Sequence, residues 1–193
     1  MHIIFYGPEG SGKGTQAKLL SETLHIPILT SGDLVRQAAA DDRGVIGDVC
    51  RQALSQGRYV ADTEMFVLWK RRLKEDDAKH DWIMDGFPRN VDQAVFLDDK
   101  LHKYGYSIEV VIYLKLSEEE SLRRLVKRAR PLIPGSHELH DSQERIQSRL
   151  RIYKEHEQPV LDYYRKQSVL VEINGNQNPE DVQKDILKQI HHG

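Results

Sequence analysis

The residues best suited to chemistry lie near the start of the chain. Gly7-Pro8-Glu9-Gly10-Ser11-Gly12-Lys13-Gly14-Thr15 follows an apolar run, Ile3-Ile4-Phe5-Tyr6, and leads into a helically periodic stretch. Glycines at this spacing let successive backbone N–H groups turn inward around phosphate oxygens, and a helix N-terminus adds its positive end. Lys13 would reach the β- and γ-phosphates, and Thr15 would serve the phosphate or Mg²⁺ side. The strict phosphate-loop pattern has Ser or Thr directly after the lysine; here Gly14 intervenes.

Such a loop serves GTPases, ATPases and small-molecule kinases alike. No Asn-Lys-x-Asp guanine-reading motif occurs, which argues against a GTPase. Trp82-Ile83-Met84-Asp85 ends an apolar run with an acid, as a carboxylate near Mg²⁺ requires. Gly86-Phe87-Pro88-Arg89 follows at once. Residues 123–151 then carry eight Lys and Arg against three acids. Arg124 and Arg128 are spaced i, i+4, as are Arg145 and Arg149, so each pair shares a helix face. Arginines around equatorial oxygens are the usual protein contribution to phosphoryl transfer. Surface pairing, as between Glu120 and Arg124, accounts for some of these cations singly but not for their grouping.

Those side chains need a scaffold. Apolar runs at Ile3–Tyr6, Ile26–Leu29, Trp82–Met84, Glu109–Leu116 and Val169–Ile173 read as strands buried on both faces of a parallel sheet. Between them the periodicity predicts helices at about 13–24, 33–40, 44–56, 62–76, 91–104, 117–130, 142–166 and 179–191. Ser117 with Glu120 reads as a capping box, Asp62 as an N-cap, and Pro179 as a helix start. Pro131–Ser136 reads as a loop between two helices. This alternation argues for an α/β fold, an open parallel sheet with helices on both sides.

Composition sets outer bounds. The chain has 193 residues, one domain's worth, and a net charge of −2, so it is no bulk nucleic-acid binder. Cys50, the single cysteine, excludes an internal disulfide framework and a four-cysteine zinc site. No apolar run is long enough to span a bilayer, and no signal-peptide pattern opens the chain. The expectation is a cytoplasmic protein without membrane or nucleic-acid partners.

Three segments together resemble the adenylate kinase family of nucleoside monophosphate kinases. They are Gly7–Gln16, Ser31-Gly32-Asp33-Leu34-Val35-Arg36, and Asp85-Gly86-Phe87-Pro88-Arg89 followed by Gln93. The resemblance runs along essentially the whole chain. It implies a P-loop NTPase fold with a five-stranded parallel sheet. The core would cover 1–29, 61–127 and 143–193, with an AMP-binding helical segment at 30–60 and a short lid at 128–142. It implies a monomer that converts MgATP and AMP reversibly to two ADP. Gly10, Ser11, Gly12, Lys13, Gly14 and Thr15 would hold the ATP phosphates. Arg124 would lie against the ATP adenine, Arg128 on its phosphates, and Gln177 near its base. Ser31, Arg36, Arg58, Tyr59, Val60, Gly86, Phe87, Pro88, Arg89 and Gln93 would form the AMP site. Arg149 would bridge donor and acceptor phosphates. Lys13, Arg89, Arg128 and Arg149 would be catalytic, and Asp33 and Asp85 would orient waters on Mg²⁺. No zinc is expected.

The chain departs from the family pattern in four places. Glu9 stands where the family usually has proline, and an acid there should cost phosphate affinity unless it points outward. Asn90 follows Arg89 as in UMP/CMP kinases, although Gln93 is the adenylate kinase residue. The lid lacks the metal-binding insertion. Counting eleven residues back from Arg149, the family's Arg-x-Asp-Asp reads Glu138-Leu139-His140-Asp141, so an arginine and one aspartate are replaced. Asn90 leaves a UMP or CMP acceptor as an alternative. Glu9 and Glu138 leave a nucleotide-binding module with weak catalysis as another.

Overall fold

The computed structural model describes residues 1–131 and 141–190. Five strands form one all-parallel sheet: β1 (His2–Tyr6), β2 (Ile28–Thr30), β3 (Trp82–Asp85), β4 (Val110–Lys115) and β5 (Leu170–Asn174), in the order β2-β3-β1-β4-β5. The flanking helices are α1 (Lys13–Leu24), α2 (Ser31–Asp41), α3 (Val45–Gln56), α4 (Asp62–Arg72), α5 (Val91–Lys103), α6 (Glu118–Arg128), α7 (Gln143–Lys166) and α8 (Pro179–Ile190).

The central strand shows why the apolar runs are continuous. Side chains alternate between faces along a strand, so a strand covered on both sides needs apolar residues throughout. Ile4 and Tyr6 of β1 pack into the layer that holds Trp69 of α4, Leu97 of α5 and Val160 of α7. Ile3 and Phe5 pack into the opposite layer, with Leu20 of α1 and Ile186 of α8. All four β1 side chains are buried. Fully burying each isoleucine contributes about 1.5–3 kcal/mol. A small separate cluster of Leu125, Ile146 and Leu150 joins α6 to α7.

Element boundaries moved where local chemistry overrode periodicity. β2 begins at Ile28, after Pro27, whose ring nitrogen has no N–H for the ladder. Helix α2 starts at Ser31 because the Thr30 hydroxyl accepts from the Asp33 N–H, closing the N-terminus two residues earlier than expected. Helix α4 stops at Arg72, short of the expected residue 76, where a separate short 3₁₀ turn, Asp76–Ala78, begins. Ala61, not Asp62, is the N-cap of α4; the Asp62 carboxylate is engaged elsewhere. Ser117 does cap α6, accepting from the Glu120 N–H. The Glu120 carboxylate pairs with Arg123 and Arg124.

Parallel pairing puts all strand C-termini on one edge, where ligands of open α/β sheets bind. In the register of β1 and β3, Phe5 lies opposite Asp85. The glycine loop after β1 and the Asp85–Arg89 turn after β3 therefore leave the sheet side by side.

Candidate active site

The loop between β1 and α1 is shaped by glycine. Gly7 has φ 140°, and a Cβ there would sit 2.6 Å from the Leu114 carbonyl oxygen. Gly10 has φ 86° and passes close to α6, where a Cβ would meet the Ser121 carbonyl at 3.0 Å. Any side chain at either position would strain the backbone. The Ser121 hydroxyl donates to the Glu9 carbonyl, tying the loop to α6. Lys13 opens α1 and curls back so that Nζ donates to the carbonyls of Gly7 (2.7 Å) and Pro8 (2.8 Å). Burial lowers the pKa of the Lys13 ammonium, and the nearby carboxylates of Asp85 and Glu9 only partly offset this.

Across the β1–β3 boundary the turn after Asp85 is pinned from several sides. The Ser31 hydroxyl donates to the Gly86 carbonyl (2.8 Å), which also accepts from Arg89 Nε (2.9 Å). Phe87 is buried against Trp69, with ring centroids 5.1 Å apart. The Arg89 guanidinium lies over the Tyr59 ring, 3.8 Å from its centroid. Such stacking fixes the plane of the guanidinium and leaves its edge for an oxyanion. Burial raises the Asp85 pKa, with Lys13 and Arg89 opposing the rise.

Gln93 is 4% exposed, so it is no surface glutamine. Its Oε1 accepts from the Arg89 N–H (2.8 Å) and its Nε2 donates to Asp62 Oδ1 (2.6 Å). Asn90 caps α5 by accepting from the Gln93 N–H, and its amide donates to Asp62 Oδ2 (2.7 Å). A local structural reason thus exists for Asn90, and it does not point to a pyrimidine acceptor.

The third wall comes from α6 and α7. Arg149 is 4% exposed; its Nη2 donates to Asp141 Oδ1 (3.0 Å) and its Nε lies 3.3 Å from Glu9 Oε2. Asp141 also accepts from Arg128 Nε (2.7 Å) and from the Arg130 N–H (3.2 Å). The aspartate that survives from the expected lid pattern therefore ties both arginine-bearing helices together. Arg124 pairs with Glu120 (2.7 Å) and also points Nη1 at the Gly10 carbonyl (3.4 Å). Glu138, Leu139 and His140, with the rest of 132–140, lie outside the described residues, as do His191, His192 and Gly193.

The family model for adenylate kinase matches residues 5–169. Adenylate kinase 1 of Synechocystis sp. is 40% identical over 188 residues, covering 97% of this chain and 96% of the relative. Adenylate kinase 1 of Nostoc sp. is 39% identical over 184 residues, covering 95% of each. Adenylate kinase of Archaeoglobus fulgidus is 34% identical over 209 residues, covering 96% of each. The chain belongs to the adenylate kinase family.

Two cavities mark the cleft of this adenylate kinase. One, of about 330 Å³, is lined by Tyr59, Val60, Gly86, Phe87, Pro88, Arg89 and Gln93 from the sequence-based set. The other, of about 570 Å³, is lined by Gly10, Gly12, Lys13, Gly14, Thr15, Asp33, Arg36, Arg58, Asp85, Arg124 and Arg128. Ser31, Lys13, Tyr59, Val60, Gly86 and Arg89 border both. Ser11 is buried within the loop. Gln177 is not brought to either cavity: its amide donates to the Asn174 carbonyl (3.0 Å) and to Asp185 (3.1 Å). Sequence reasoning missed Tyr6, Ile152, Tyr153, His156 and Asp62, which line the smaller cavity. Three of them had a signal: Ile152, Tyr153 and His156 fall three, four and seven residues after Arg149, on its helix face.

The donors at the strand edge suit Mg²⁺ bound with a nucleotide. They are oxygens, Asp85 and Thr15 on the larger cavity, and Gly14 leaves the Asp85 carboxylate uncovered, with Oδ2 3.5 Å from where a Cβ would be. Among the described residues no three His, Cys, Asp or Glu side chains cluster as a metal cage. Mg²⁺ characteristically takes one or two carboxylates and fills the rest of its shell with phosphates and water. Asp33 is less available, since its carboxylate accepts from Arg36 (2.7 Å) and Thr30 (2.6 Å). Among the described residues no helix is long and apolar enough to cross a membrane.

Proposed function

We propose that this chain transfers the γ-phosphoryl group of MgATP to AMP, reversibly, giving two ADP. An oxygen of the AMP phosphate forms the new P–O bond while the bond between the β–γ bridging oxygen and the γ-phosphorus breaks; the released ADP keeps its charge, and no enzyme-bound intermediate is needed. The observation that carries this reading is the adjacency of two cationic segments on neighbouring strands, the Lys13 loop after β1 and the Arg89 turn after β3, with Lys13 and Arg89 bordering both cavities.

In this reading Gly10–Thr15 hold the donor phosphates and Lys13 follows the transferred charge. Arg128 and Arg149 neutralise the equatorial oxygens; Arg124 lies against the donor base. Ser31, Arg36, Arg58, Tyr59, Val60, Gly86–Arg89 and Gln93 form the acceptor site. Gln93 retains one N–H and one lone pair beyond its two bonds, enough to read the amino and ring-nitrogen edge of adenine. Mg²⁺ bound with ATP supplies charge neutralisation on the phosphates, with Asp85 the carboxylate facing it. Segment 30–60 closes over the acceptor, which excludes water and prevents hydrolysis; the expected lid at 128–142 falls largely outside the described residues. Gln177 is left without a role in base binding, given its partners Asn174 and Asp185. We further propose a cytoplasmic monomer.

The test is a coupled assay of ADP formation with MgATP and a panel of AMP, CMP, UMP and GMP. AMP should turn over fastest. Faster turnover with CMP would overturn the acceptor assignment, and no transfer to any monophosphate would overturn the reaction.

A further inference from the structure

The phosphate loop carries one residue whose charge opposes its task. Glu9 places a carboxylate among groups arranged to hold anions, and the carboxylate turns inward, 25% exposed. Its Oε1 accepts from the Tyr59 hydroxyl at 2.6 Å, and its Oε2 lies 3.3 Å from Arg149 Nε. Its own carbonyl is held by the Ser121 hydroxyl, so the loop cannot easily swing the side chain away. Glu9 lines both cavities, as Lys13 and Arg89 do. It therefore sits at the junction through which a phosphoryl group would pass. Burial opposes its ionisation, but Arg149, the Tyr59 hydroxyl, Arg89 and Lys13 together hold the carboxyl below its ordinary range.

A guanidinium treats carboxylate and phosphate oxygens as the same class of partner. Asp141 already pairs with buried Arg149 at 3.0 Å, and Glu9 at 3.3 Å is a second counter-anion that helps to keep the guanidinium in place. The same contact occupies the arginine edge nearest the loop, and two anions a few ångströms apart repel strongly where water is scarce. We infer that Glu9 is a built-in competitor for substrate phosphate, a carboxylate that positions Arg149 and Tyr59 and must yield Arg149 when a nucleotide phosphate arrives. The inference rests on the kinase reading of the site and adds to it a residue that weakens ground-state binding of phosphate while leaving the base and ribose contacts untouched.

The experiment compares the unmodified protein with Glu9→Gln, by calorimetric titration with AMP and, separately, with adenosine. Gln keeps an acceptor for the Tyr59 hydroxyl and removes the charge. AMP should bind about tenfold tighter to Glu9→Gln, the size expected when one like charge is removed from a shared site. Adenosine, which has no phosphate, should change by less than about twofold. An unchanged or weakened AMP affinity overturns the inference, and so does an equal gain for adenosine, which would mark a general reshaping of the cleft. If Glu9→Gln does not fold, Glu9→Pro, which also removes the Tyr59 acceptor, is titrated with AMP alone; tighter binding is again expected, and unchanged or weaker binding again overturns the inference. ADP formation by the unmodified protein, measured alongside, reports separately on the kinase reading. Absence of transfer sinks that reading, whereas the AMP and adenosine comparison alone decides the role of Glu9.

Discussion

The two cavities of the cleft share a wall and differ in everything else. The larger one is bordered by Lys13, Arg36, Arg58, Arg124, Arg128 and Arg130, cations on helices α1, α2 and α6 and on the segments after α3 and α6. The smaller one is bordered by Phe5, Tyr6, Met65, Phe87, Tyr153 and a closed amide–carboxylate network of Asp62, Asn90 and Gln93. Charge attracts any phosphate and reads little about what carries it. An apolar slot with a few fixed polar groups reads shape and hydrogen-bond pattern. On the proposed function the difference is a division of labour: rate from one side of the shared wall, and choice of acceptor from the other.

That division is broken most easily at Lys13. Lys13→Ala should lower the turnover number by about 10³-fold, the scale of losing one transition-state cation. AMP affinity, measured by titration, should fall far less; a parallel loss of both would dissolve the distinction between the cavities. Gln93→Met keeps the bulk and strands the Arg89 N–H and Asp62 Oδ1. The two lost hydrogen bonds should lower kcat/KM for AMP by about 10²-fold. The KM for ATP should stay put; if it rises equally, the smaller cavity is not acceptor-specific. The smallest effect concerns the shared wall. The folded pKa of Glu9 lies below its ordinary value of 4.5, so its pairing stabilises the fold above that pH and is lost as pH falls through the depressed value. Acid unfolding of Glu9→Gln, followed by circular dichroism, should therefore begin from a flatter stability profile below about pH 4.5. An identical acid profile would mean that the Glu9 contacts contribute nothing to the folded state.

Much of this was readable in the sequence because it is local. The strand–loop–helix around Gly7–Lys13 and the Asp85–Arg89 turn depend on neighbours in the chain. Continuous apolar runs fixed the sheet type, and capping chemistry fixed α6. Helix α7 was read through Pro159, and it does continue, since Val160, Leu161 and Tyr164 beyond it are buried. What escaped was set by distant partners. Whether Glu9 faces in or out depends on Tyr59 and Arg149, 50 and 140 residues away in the sequence. Asp62 looked like a helix cap because only its immediate neighbours were visible; its real partners, Asn90 and Gln93, come from another helix. Gln177 followed a strand at a suggestive place, but Asp185, one helix further on, holds its amide.

The pairing of β1 with β3 has one more consequence. The loops after β1 and β3 leave neighbouring strands of one hydrogen-bonded ladder at the same level, with Phe5 opposite Asp85. Neighbouring strands lie about 4.8 Å apart, and that spacing is set by backbone hydrogen bonds rather than by side chains. On the proposed function, the roots of the donor and acceptor loops are thus held at a spacing that no side-chain substitution changes.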